Sequence, residues 1–211
     1  MPTTKVASTK NPIHELLSQR WSPRAFCDRP VEPEKLLSLL EAARWAPSSN
    51  NEQPWRFILA TRDNPAEFEK TLACLMEGNV AWAKRAYALI LTAAKLKFDR
   101  SGKPNRHAFH DVGSATENLA IQATALGLVV HPMAGIYPEK AREIFGIPEG
   151  YEVVAAVAIG YPADASTLPE GLRERELAPR ARKPLEELVF TGHWGQTSPL
   201  VAESDSGSAN S

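Results

Sequence analysis

The 211-residue chain has only two cysteines, Cys27 and Cys74, and neither belongs to a CxxC pair. Two such thiols build neither a disulfide framework nor a zinc site, and unpaired thiols suit a reducing, cytoplasmic setting. No stretch of about 18 apolar residues occurs, so no membrane span is expected. The first ten residues hold no apolar run, so no secretory signal is expected either. Charge of one sign is also lacking, because 24 basic and 25 acidic residues leave a net charge of −1. Nucleic-acid and membrane-surface binders need surplus positive charge, which this chain does not have. A local basic pocket for one phosphate stays open. Several signatures of chemistry are missing too. No GxGxxG follows a strand, there is no Walker loop, and no GxSxG elbow presents a serine. Carboxylates abound without forming a diagnostic pair. His107 and His110, three apart, lack a third and fourth metal ligand, so they read as a polar helix start following a loop rather than a metal pair. A chain without its own acid, base or nucleophile set can leave the hard chemistry to a bound cofactor.

What is present is ordinary for a globular enzyme. The chain is 43% hydrophobic and 23% charged, enough to bury one sizeable core. One domain is expected over residues 12–195, with polar, disordered tails at 1–11 and 203–211. Helices are predicted from Pro12 to Gln19, with Asn11 as cap, and from Pro33 to the residues before Pro47. In the second, Leu36, Leu37, Leu40 and Ala43 form the buried face. Further helices are predicted over 66–77, 79–85, 111–126 and 139–145, with Gly127 stopping the longest. Strands are predicted over 56–61, 86–93, 128–131 and 153–160. Residues 97–107, charged and carrying Gly102 and Pro104, read as a mobile surface segment. Helices and strands do not alternate one for one, so the fold class is α+β around one sheet rather than doubly wound.

Four features offer places for chemistry. Arg20, Ser22 and Arg24 stand at alternate positions around Pro23. In an extended conformation they face one way, and arginine supplies paired donors for a phosphate. A solvated basic turn would have the same composition. The loop Pro47-Ser48-Ser49-Asn50-Asn51-Glu52-Gln53-Pro54-Trp55 is dense in small hydrogen-bonding side chains, as a polar ligand's ring edge would need; a plain connecting loop is the alternative. Arg180, Arg182 and Lys183 form a second basic cluster, which either converges on the same dianion or is solvated.

Taken in order, RWSPRAF (20–26), EAARWAPSSNNEQPWRF (41–57), GNVAW (78–82), the stretch VGSATENLAIQATALGL (112–128), HPMAGI (131–136), VAIGYP (157–162) and ARKPLEELV (181–189) resemble the nitroreductase family of FMN-dependent oxidoreductases. The resemblance spans about residues 12 to 195. It implies a mixed central sheet flanked by helices, built as an intertwined homodimer with flavin mononucleotide (FMN) at the interface. Terminal segments would wrap the partner, and the proline-rich region after Tyr161 is suited to that. By the resemblance, Arg20 and Ser22 bind the FMN phosphate, with Trp21 between them in the same motif. Arg24 lies by the N1–O2 side of the ring, where negative charge gathers on reduction. Arg180 and Arg182 reach the phosphate as well, and Lys183 could replace one of them. Pro47, Ser48, Ser49 and Asn51 come from the second subunit. Asn79 bonds the pyrimidine edge, and the backbone of Ala134 and Gly135 packs beside the ring. Some members carry a glutamate where this chain has Ala134. An amide contact survives that change, whereas a carboxylate's part in substrate access does not. The implied activity is a ping-pong transfer of hydride from NADH or NADPH to small acceptors such as nitroaromatics or quinones. The alternatives are a flavin-storage protein, a reductive dehalogenase or a flavin-fragmenting enzyme. The last two would be specialised relatives on the same fold.

Overall fold

The computed structural model describes residues 2–202 and resolves into two compact units, Met1–Ala178 and Pro179–Ser211. The expected tail at 203–211 lies outside the described residues. In the first unit, elements run α1 (Glu15–Gln19), α2 (Pro33–Arg44), β1 (Trp55–Thr61), α3 (Pro65–Leu72), α4 (Glu77–Ala83), β2 (Ala88–Lys95), α5 (Ala108–Ala125), β3 (Val129–Met133), α6 (Pro138–Phe145), β4 (Tyr151–Gly160) and α7 (Glu170–Leu177). The sheet order is β1-β2-β4-β3. All three pairings are antiparallel, so within this chain the expected mixed sheet takes the narrower form of an antiparallel one.

Both faces of the sheet are covered, which is why β2 and β4 read as continuous apolar runs. Alternate residues point to opposite faces. Ala88, Ile90, Val157 and Ile159 pack with α2 and α5, through Leu36, Leu39, Val112, Leu119 and Ala123. Leu89, Leu91, Ala156 and Ala158 pack on the other side with Phe68, Leu72, Trp82 and Ala141 from α3, α4 and α6.

Local chemistry explains most boundaries. Proline occupies the first turn of α2, α3 and α6, where its missing N–H costs nothing. Asn64 caps α3 by accepting from Glu67 N. The expected face of α2 needs correction: Leu39 is fully buried while Leu37 is 66% exposed. The buried stripe is Leu36, Leu39 and Ala43, the i, i+3, i+7 pattern. α1 begins only at Glu15, capped by His14 Nδ1 rather than Asn11, so Pro12 precedes the helix. Residues 2–11 carry no helix or strand, and Thr3 is tied to Ala163 and Ala165 by two hydrogen bonds. Residues 97–107 form a tight turn, in which Phe98 N donates to Lys103 O and Asn105 N to Leu96 O.

The second unit, by itself, contains a short 3-10 turn at Leu185–Glu187 and a bridge between Phe190 and Thr197. Phe190 and Trp194 meet there with ring centroids 5.3 Å apart. No helix among the described residues is long and apolar enough to cross a membrane.

Candidate functional site

Arg20 ends α1 with extended dihedrals, which sends residues 21–26 away from the helix. Its guanidinium donates to Ser22 Oγ at 3.5 Å and lies 3.4 Å from Glu117 Oε1 on α5. Arg20 and Ser22 therefore share a side, as their spacing predicts. Trp21 is half-buried, with Lys5 Nζ 5.0 Å above its ring. Arg24 takes another partner: its guanidinium is 3.7 Å from Glu176 Oε2 on α7.

The segment is pinned from both sides. Glu176 accepts from Arg24 N at 2.8 Å and from Ala25 N at 3.1 Å. On the other side His131, in β3, has Nδ1 3.0 Å from Pro23 O. A carbonyl only accepts, so the imidazole N–H donates. Burial pushes the His131 pKa down from 6.5 to about 4, against the upward pull of the Pro23 carbonyl and with the help of the nearby Arg24 charge. His131 also packs on Trp82 of α4, centroids 4.4 Å apart, and Trp82 stacks on Phe26 at 6.2 Å. Gly160 lets Phe26 in: a Cβ there would meet Phe26 Cδ1 at 2.9 Å.

The same end of β3 leads into Ala134 and Gly135. Gly135 O accepts from Asn79 Nδ2 at 2.9 Å and from Met76 N at 3.0 Å. A Cβ on Gly135 would sit 2.6 Å from Asn79 Nδ2, so only glycine leaves room for this amide. Ala134 is exposed beside it. Asn79, Ala134 and Gly135 are thus joined, and Trp82 and His131 connect them to the Pro23 segment.

The loop 47–53 bonds elsewhere. Ser49 N donates to Asp111 Oδ2 at 3.1 Å at the start of α5, and Gln53 N to Ser48 Oγ at 3.0 Å. Asn50, Asn51 and Gln53 have φ of 54°, 55° and 50°, left-handed conformations that cost non-glycine residues energy. Asp111 is buried and fixes the loop from α5; its acceptor role had no signal in the sequence. Glu52 accepts from Asp99 N at 2.6 Å, which ties the loop to the 97–107 turn. The polar side chains of Asn50, Asn51 and Gln53 face outward, and Pro47 is exposed. Arg180 and Arg182 belong to the second unit, where Arg182 Nη1 donates to Ala181 O.

An open depression of about 330 Å³ is lined by Phe26, Asp28, Arg62, Lys84 and Arg85, none of them an expected site residue. His110 Nδ1 faces Asp111 Oδ1 at 3.3 Å, and among the described residues no cluster of three or more metal-ligating side chains forms. Sequence reasoning missed Glu176, His131, Trp82 and Asp111. Each is recognisable only by its burial against a loop distant in sequence.

The family model described as "Nitroreductase family" matches residues 17–161. A solved structure of an FMN-containing oxidoreductase is 39% identical, with a TM-score of 0.86, over 93% of this chain and 100% of that one. A 15.4 kDa protein of Mycolicibacterium smegmatis, whose name states no activity, is 39% identical over 66% of this chain and 97% of its own length. An NADH dehydrogenase of Thermus thermophilus is 30% identical over 82% of this chain and 92% of its own.

Proposed function

The chain belongs to the nitroreductase family, and on that premise we propose that it binds FMN and works as an NAD(P)H-dependent oxidoreductase. The observation that carries the reading is the seating of residues 20–24. One anchored segment presents Arg20, Ser22 and Arg24, and its anchor on β3 leads directly to the Asn79–Gly135 contact. The donor set fits the cofactor. Two guanidinium groups and a hydroxyl suit a phosphate and a ring that gains negative charge, and the amide at Gly135 occupies space that any larger residue would fill.

Arg20 and Ser22 would hold the phosphate, and anion binding there would compete with Glu117 for the Arg20 guanidinium. Arg24 would face the N1–O2 side of the ring, Asn79 the pyrimidine edge, and the backbone of Ala134 and Gly135 the region near N5. Arg180 and Arg182 are assigned to the phosphate by the family resemblance. Pro47, Ser48, Ser49 and Asn51 are assigned to the flavin of a partner subunit in a homodimer. That assignment draws support from a loop bonded to Asp111 and Asp99 in its own chain, with Pro47, Asn50, Asn51 and Gln53 exposed. FMN, when bound, would take hydride from NADH or NADPH and pass electrons to a small acceptor such as a quinone or nitroaromatic in a ping-pong cycle. The protein's part is to hold donor and acceptor in turn at the same exposed position, at about 3 to 3.5 Å from the reacting atom. We further propose one FMN-binding domain over residues 12–195 and a cytoplasmic setting.

The test is spectroscopic. FMN added to the purified protein should give a protein-bound flavin spectrum. Anaerobic NADH or NADPH should bleach it, and a quinone or nitroaromatic should restore it. Bound flavin that neither nicotinamide bleaches would instead establish a storage protein.

A further inference from the structure

Resting on the FMN reading above, we propose that Glu176 is a positioning residue that holds Arg24 and, through it, lowers the electron affinity of the bound flavin. Glu176 lies in α7 with no solvent exposure. A buried carboxylate is stable only when its oxygens are bonded and its charge is paired. Its partners lie in two consecutive residues. Oε1 accepts from Arg24 N at 2.8 Å and Ala25 N at 3.1 Å, Oε2 accepts from Arg24 N at 3.1 Å, and Arg24 Nη1 stands 3.7 Å from Oε2. Successive amides turned to one anion make a small anion nest.

A neutral amide oxygen could satisfy those two N–H groups. The negative charge strengthens those bonds and, beyond that, pairs with the guanidinium. Arg24 is 27% exposed in its side chain, so its charge stays accessible to a ring placed beside it by the FMN reading. The pairing does two things to that charge. It fixes the direction of the guanidinium, and by holding it toward α7 it limits how closely that charge approaches a reduced ring. Arg24 then stabilises reduction less than a lone arginine would.

Substitution separates these effects. Glu176→Gln keeps an acceptor for both amides and removes the charge. The reduced flavin should then be favoured over the oxidised form by about tenfold, a rise of about 30 mV for a two-electron couple. In an Arg24→Ala background the same substitution should shift the potential by well under half as much. The experiment measures the flavin midpoint potential of the reconstituted wild type, Glu176→Gln, Arg24→Ala and the double variant against a reference dye, with thermal unfolding in parallel. A fall in stability with an unchanged potential would overturn the proposal in favour of a scaffold role. Equal shifts in both backgrounds would overturn it by showing that the glutamate acts on the ring directly. Should Glu176→Gln not fold, Glu176→Asp, whose carboxylate retreats by one methylene, replaces it. A smaller rise supports the proposal and an unchanged potential overturns it. A wild-type protein that binds no flavin would overturn the FMN reading and this inference together, whereas bound flavin at an unshifted potential would overturn the inference alone.

Discussion

Arg20 and Arg24 stand four residues apart and are held in different ways. Arg20 reaches Ser22 and the half-exposed carboxylate of Glu117, a partner that the proposed FMN phosphate would displace. Arg24 is paired to a carboxylate that never meets solvent. An exposed pair contributes little and gives way readily, whereas a buried one is costly to break. The two arginines should therefore fail differently. Arg20→Ala is expected to weaken FMN binding by roughly 10- to 100-fold, the loss of one charge-assisted phosphate contact, with little change in the rate at which bound flavin is reduced. Arg24→Ala is expected to slow reduction by NADH or NADPH more than it weakens binding. Flavin titration and stopped-flow reduction of both variants check this. Equal effects of both substitutions on both quantities would refute the division of labour.

Among the elements, β3 carries the most. His131, within it, is the hinge pin between the Pro23 segment and Trp82 of α4. Its pKa is lowered to about 4 in the folded protein from an ordinary 6.5. The unfolded chain thus binds the proton more readily, so folding is favoured above the unfolded value and loses stability as pH falls toward the folded one. From about pH 7.5 to about pH 5 the loss attributable to this one group is roughly 2 kcal/mol. Denaturant titrations at the two pH values should show it, and His131→Phe, which keeps the ring packing, should flatten that part of the dependence. An equal pH slope in the variant would assign the loss to other groups.

The elements also show what a sequence displays and what it hides. Strands β2 and β4 were legible because burial on both faces leaves an unbroken apolar run. Helix α2 was legible at its start because Pro33 marks a first turn, whereas the expected starts of α3 and α6, at 66 and 139, fall one residue past their prolines. The phase of α2 was not: the sequence offers leucines at 36, 37, 39 and 40, and only packing against α5 decides that Leu39 goes in and Leu37 stays out. Helix α7 was hidden for the opposite reason. Its residues Glu170–Leu177 are mostly charged and show no apolar stripe, and its one essential group is a buried glutamate among exposed arginines and glutamates. The candidate site divides the same way. Arg20, Ser22, Arg24, Asn79 and Gly135 announce themselves by local motifs. Glu176, His131 and Asp111 act through contacts across long stretches of chain, and no window of sequence contains both partners.

At the scale of the whole molecule, the loop 47–53 is the element whose purpose a single chain does not display. It is tied to Asp111 through Ser49 N, and Asn50, Asn51 and Gln53 are exposed on it. In the proposed homodimer those side chains complete the neighbour's flavin site. Sedimentation should then give twice the chain mass, and dilution that separates the subunits should release FMN in parallel. Flavin retained by a separated monomer would remove the partner's loop from the site.

The bond between Glu176 and Arg24 joins residues 152 apart in sequence. On a ribosome that distance is time. At ordinary elongation speeds Arg24 emerges roughly ten to thirty seconds before the carboxylate that fixes it. Until then the segment around Pro23 has no lasting hold on its α7 side, and contacts of such long range form late in folding. On the FMN reading, a nascent chain gains a fixed Arg24 only once α7 has been made.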